Sequence, residues 1–75
     1  MTELAPRIIV DPGIRFGRPL IKGSRVPVEV VVGKLAGGMN VDDVAREYGI
    51  ERADVLAALS YAARIVSEEQ VRALT

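Results

Sequence analysis

The side chains with the most chemical potential are cationic and lie at one end of the chain. Arg7, Arg15, Arg18, Lys22 and Arg25 fall within the first 26 residues against only Glu3 and Asp11, a net charge of +3, while the remainder carries −3. A basic arm on an acidic body can contact phosphates or dock on the acidic body of a second copy. Gly17-Arg18-Pro19 and Lys22-Gly23-Ser24-Arg25 offer glycines flanked by cations, but neither has Walker or dinucleotide spacing, and both read better as turns. Asp42, Asp43 and Glu47 imitate a magnesium site; acids in the first turns of a helix serve its dipole more simply. Ser24, Ser60 and Ser67 have no histidine to activate them, and Lys22 beside Ser24 has no supporting pocket. The expectation is a protein that is not an enzyme, with no catalytic residues, metal or cofactor.

Composition narrows the class further. The 75 residues are 49% hydrophobic, balance ten basic against ten acidic side chains, and include no Cys, His or Trp. Disulfides, thiolate chemistry, an imidazole base and the common ligands of structural zinc are therefore excluded. No apolar stretch matches a bilayer, and Met1–Pro6 lacks the apolar core of a signal peptide. A soluble, cytoplasmic protein is expected, with no membrane partner and no small-molecule substrate. A chain this short buries only about 60% of its unfolded surface. Its aliphatic-rich content, with one Phe and two Tyr, predicts a core completed against a partner, by default as a homodimer.

The elements that must position these residues are legible in part. Arg7-Ile8-Ile9-Val10 is a β-branched run stopped by the turn signal Asp11-Pro12-Gly13. Leu20-Ile21 and Arg25-Val26 flank Lys22-Gly23-Ser24, with Gly23-Ser24 suited to a type II′ hairpin turn. Val28 to Ala36 alternates like a strand but also places Val28, Val31, Val32, Leu35 and Ala36 at helical spacing. Helix is favoured, with Pro27 as first helical residue and Gly37-Gly38 as the stop. Asn40 is a good N-cap, Asp42 and Asp43 suit the first turn, and Met39 and Val44 have the spacing of a hydrophobic staple. That helix, Val41–Tyr48, ends at Gly49. A longer one begins near Glu51, with inner face Val55, Ala58, Leu59, Ala62 and Val66. Ser67 with Gln70 allows a capping box, so Ser67 to Leu74 is either a separate short helix or a continuation.

Counted from Val41, the small residue Ala45 is fifth, Gly49 ninth and Val55 fifteenth. Val44, Tyr48, Ile50 and Ala58 supply the apolar positions of a helix-turn-helix pattern. In such a motif the second helix enters the major groove. Its outward residues here are Glu51, Arg52, Ala53, Leu56, Ala57 and Ser60. Arg52 is the good guanine reader and Ser60 a weaker contact. Glu51 and Asp54 repel phosphates, which leaves Arg15, Arg18, Lys22 and Arg25 to hold the backbone or reach a minor groove. Apolar outward side chains more often mark a protein contact. Leu56, Tyr61, Ile65, Val71 and Leu74 are the candidates for one, and Tyr61 alone makes no base-stacking platform.

The stretch Asp11-Pro12-Gly13 … Gly17-Arg18-Pro19-Leu20-Ile21-Lys22-Gly23-Ser24-Arg25-Val26-Pro27-Val28 is distinctive. With Ala36-Gly37-Gly38-Met39 and Ala57-Ala58-Leu59-Ser60-Tyr61-Ala62-Ala63, it resembles the small prokaryotic family of domains of unknown function numbered four hundred and thirty-three. The resemblance covers roughly residues 7–66. It implies a homeodomain-like helical core and a VapB-like antitoxin: a dimer that binds a PIN-like toxin and represses its own operon. The acidic second helix departs from what operator binding needs. The expected fold is mainly α, a homeodomain-like three-helix helix-turn-helix core preceded by a short β-strand or hairpin arm. One domain spans 1–75: arm 7–26, core 27–66 and a C-terminal helical tail 67–75. The leading expectation is an antitoxin-like helix-turn-helix protein that binds operator DNA as a dimer and neutralises a PIN-like toxin. The alternative is a dimerisation or protein-interaction module without intrinsic DNA binding.

Overall fold

The computed structural model describes the backbone of residues 1–74 and the side chains of residues 1–69. It is mainly α: three helices and a small antiparallel sheet built from the N-terminal segment. Strands β1 (Thr2–Ala5), β2 (Ile8–Val10) and β3 (Leu20–Ile21) lie in that order across the sheet. Helices α1 (Val28–Ala36), α2 (Val41–Tyr48) and α3 (Arg52–Leu74) follow. Among the described residues no helix is long and apolar enough to cross a membrane.

The sheet is short, and packing rather than length holds it. Ile8 and Ile21, partners across β2 and β3, are fully buried and join Val28, Val31, Val44, Val55 and Ala58 in one cluster. Ile9 and Leu20, the next pair, are buried outside that cluster. A two- or three-residue strand alone in water is marginal; here α3 contacts β2 and supplies the missing support. Strand β1 was not expected from sequence, because Thr2–Ala5 carries no run of β-branched residues.

The hairpin turn differs from the one expected. Gly23 occupies the second central position, with φ 82°, and the Ser24 amide donates to the Ile21 carbonyl at 3.1 Å. This is the sense of a type II turn rather than type II′. The Ser24 hydroxyl donates to the Ile21 carbonyl at 2.8 Å and accepts from the Val26 amide at 3.1 Å. Arg25-Val26 therefore forms no strand: Ser24 ties the chain into a compact loop, and the only pairing there is a single Leu20–Pro27 bridge.

The helical boundaries follow their caps. Pro27 sits one residue outside α1, in extended geometry, and its carbonyl accepts from Val30 and Val31. Helix α1 closes in a Schellman arrangement: Gly38, at φ 105°, donates to Leu35, and Met39 donates to Lys34. The Asn40 side chain accepts the Asp43 amide at 2.8 Å to start α2. Gly49, at φ 65°, ends it in the left-handed region that glycine adopts without steric cost. Helix α3 is continuous through Leu74, so Ser67 opens no separate helix. On its inner face Val55 and Ala58 are fully buried, but Val66 is 61% exposed, because the helix outruns the elements that cover its first half.

Candidate functional site

The N-terminus of α3 is organised by a pair whose members lie 47 residues apart. Arg7, in the turn between β1 and β2, adopts φ 68°, a left-handed conformation that side-chain-bearing residues rarely take. That geometry carries its guanidinium to α3, where it donates to Asp54 at 2.9 Å and lies 3.6 Å from Glu51. Asp54 is nearly buried, and its second carboxylate oxygen accepts the Glu51 amide at 2.9 Å. One carboxylate thus both caps α3 and anchors the hairpin. The hydrogen bond to Asp54, followed by the nearby negative charges and opposed by partial desolvation, raises the Arg7 pKa above its ordinary value. The expectation that Asp54 repels phosphate is corrected: its charge is directed inward and met by Arg7.

The side chains proposed for DNA contact do not gather on one groove among the described residues. Arg52, in the first turn of α3, donates to Asp42 at 2.7 Å. Arg18 is bound to Glu29 at 2.9 Å and Lys22 to Glu3 at 3.2 Å. Arg15 and Arg25 form no ion pair among the described residues and are exposed. Ser60 is exposed and lines a shallow cleft with Ala5, Pro6, Ala57 and Arg64. The three pairs of Arg18, Lys22 and Arg52 are solvent-exposed, a setting in which an ion pair contributes about 0–1 kcal/mol. A phosphate can displace such a partner at little cost. Of the supposed magnesium cluster, Asp42 serves Arg52 and Asp43 serves Arg46 at 3.0 Å.

The outward face of α3 is only partly open. Glu51, Arg52, Ala53 and Leu56 are exposed, whereas Ala57 is half-buried beside the β1–β2 hairpin. Arg64 straps the hairpin down, donating to the Leu4 carbonyl at 3.2 Å, while its guanidinium lies 5.5 Å from the centre of the Tyr61 ring. The arm is a folded part of the molecule.

A second feature is apolar. Between α1 and the middle of α3 runs an open groove of about 430 Å³, walled by Val28, Val32, Tyr61, Ala62, Ile65 and Val66, with Arg18 and Glu29 also lining it. Two of the proposed interface residues, Tyr61 and Ile65, meet there. Leu56, 46% exposed, does not line it. The side chains of Val71 and Leu74 lie outside the described residues.

Sequence reasoning passed over the most exposed aromatic. Arg15, Phe16 and Gly17 form one left-handed turn, with φ of 53°, 57° and 76°, and Phe16 is wholly exposed. Only an aromatic wedged between two arginines and next to a glycine hinted at it; no periodicity marks a single turn.

Three helices with an N-terminal sheet and a short left-handed corner between α2 and α3 define a small, mainly α domain. Residues 8–62 match the family model described as Protein of unknown function (DUF433). The chain belongs to that family. It is also similar to the crystal structure of Rv2018 from Mycobacterium tuberculosis, with 35% identity and a TM-score of 0.64 over 69% of this chain. The match spans only 24% of that protein's chain. No curated protein matches.

Proposed function

We propose that this chain is a homeodomain-like helix-turn-helix protein of the antitoxin type, which binds operator DNA as a dimer and neutralises a PIN-like toxin. The observation that carries the reading is the corner itself. Gly49 turns the chain so that only three residues, Gly49 to Glu51, separate α2 from α3, with Arg52 and Ala53 exposed in the first turn of α3. In a helix-turn-helix protein that turn meets base edges, and Arg52 is the side chain there able to read guanine. Ser60 makes a lesser contact, and Arg15, Arg18, Lys22 and Arg25 supply phosphate contacts. The protein acts in the cytoplasm, beside the gene it regulates.

A second reading, a protein-interaction module without DNA binding, is favoured by the self-pairing of Arg18, Lys22 and Arg52 with acids of the same chain. Fluorescence anisotropy against duplex DNA from upstream of the protein's own gene, with a scrambled duplex as control, separates the two. The regulator reading predicts preference for the upstream duplex and loss of that preference in Arg52→Ala. Equal or absent binding to both duplexes favours the interaction module.

A further inference from the structure

We propose that the Arg15–Phe16–Gly17 turn is a knob that inserts Phe16 into the α1–α3 groove of a second copy of this chain, and that the two copies exchange knobs about a two-fold axis. The inference rests on the dimer in the reading above and names the surface that forms it. Three observations meet here. Phe16 is fully exposed on a turn with two consecutive side-chain-bearing residues at positive φ, a backbone that persists only where something fixes it and that clusters at functional contacts. The groove of about 430 Å³ is lined mostly by apolar side chains and is left open by the described residues. Knob and hole are neighbours, because Arg18, two residues after Phe16, lines the groove.

That adjacency decides the occupant. A self-complementary patch that carries both a projection and its recess closes on itself by a two-fold operation, each copy contacting the other through the same residues. Charge follows the same pattern. Arg15 flanks the knob and is exposed, while Glu68 and Glu69 are exposed on α3 just beyond the groove. In the exchanged pair the cation of one copy approaches the acids of the other, in keeping with the +3 of residues 1–26 and the −3 of residues 27–75. Each phenylalanine buries on the order of 150–250 Å² of its own surface. Two of them with their matching recesses bury about 600–1,000 Å², so the rims of α3 must supply the remainder of the about 1,200 Å² at which specific interfaces begin. Arg15 and Arg18 then belong to the dimer contact, leaving Lys22 and Arg25 for phosphates and Arg52 for a base edge.

The test is sedimentation equilibrium of the full chain and two variants. Phe16→Ala removes the knob from a fully exposed position, so folding is untouched. Gly33→Leu fills the hole: Gly33 lines the groove in helix α1, and a side chain there meets nothing of its own chain within 4 Å of its Cβ. Each variant should weaken self-association about a hundredfold, tenfold for each of two symmetric anchors. An equimolar mixture of the two variants should recover part of the loss, because one intact knob meets one intact hole. Variants that dimerise as tightly as the parent, or a mixture with no recovery, overturn the proposal while leaving a dimer through another surface. A monomeric parent overturns the dimer as well. Loss of DNA binding in Phe16→Ala with unchanged dimerisation assigns the knob to nucleic acid and also overturns the proposal.

Discussion

The two halves of this chain reach their conformations by different routes. From Val28 onward α1 and α2 are bounded by residues acting within a few positions: Asn40 caps α2, Gly49 ends it, and Gly38 closes α1. Before Val28 the backbone depends on partners far along the chain. Arg7 holds a left-handed conformation facing Asp54, 47 residues away, and Arg64 fastens Leu4 from 60 residues away. The helical half carries the corner that suggests DNA, and the irregular half carries the cations and the exposed phenylalanine. Local rules built the scaffold; long-range contacts fixed the hairpin against it.

Breaking the long-range half should cost most where it is buried. Ile21→Ala removes a fully buried side chain of a two-residue strand and should lower stability by about 3 kcal/mol, read by urea denaturation. The same truncation at Val66 on the uncovered part of α3 should stay within about 0.5 kcal/mol. Two glycines sharpen the contrast within the helical half. Neither Gly49 nor Gly33 has an atom within 4 Å of an added Cβ. Gly49→Ala should nevertheless cost about 1–2 kcal/mol, because its φ is 65° and the penalty is in the backbone. Gly33→Ala lies inside α1 and should gain about 0.5–1 kcal/mol, seen as a higher melting midpoint. Asn40→Ala removes a cap and should cost about 1 kcal/mol. Smallest is Arg18→Ala, whose exposed pair with Glu29 should change stability by no more than about 0.5 kcal/mol in the same assay.

The legible parts of the fold are those with short-range causes. The range Val41–Tyr48, its Asn40 cap and its Gly49 stop follow from adjacent residues, and the ambiguity over Val28–Ala36 resolves to helix because Val28 and Val31 turn inward together. The single-residue shift at Pro27 is a matter of whether its own dihedrals or its carbonyl defines the start. Three things escaped. Strand β1 forms because β2 and α3 offer it an edge and a strap, not because Thr2–Ala5 prefers extended geometry. Asp54 looked like a surface acid, since nothing nearby in sequence announces Arg7. Val66 has helical spacing with the core residues, but periodicity does not reveal where the covering elements end. For the candidate site, residue type singled out the basic N-terminal segment, while only the fold shows that Arg7, Arg18 and Lys22 are engaged with acids of the same chain.

Those engagements make salt dependence the most direct test of DNA binding. If the dimer holds phosphates through Lys22 and Arg25 of each copy while Arg52 reads a base edge, four phosphates are neutralised. The logarithm of affinity for the upstream duplex should then fall with the logarithm of salt at a slope of about −4 between roughly 50 and 200 mM. A slope near −4 is the result expected when Lys22 exchanges Glu3 for phosphate. A slope near zero, or no binding at the lower salt, contradicts a DNA-binding role for this chain.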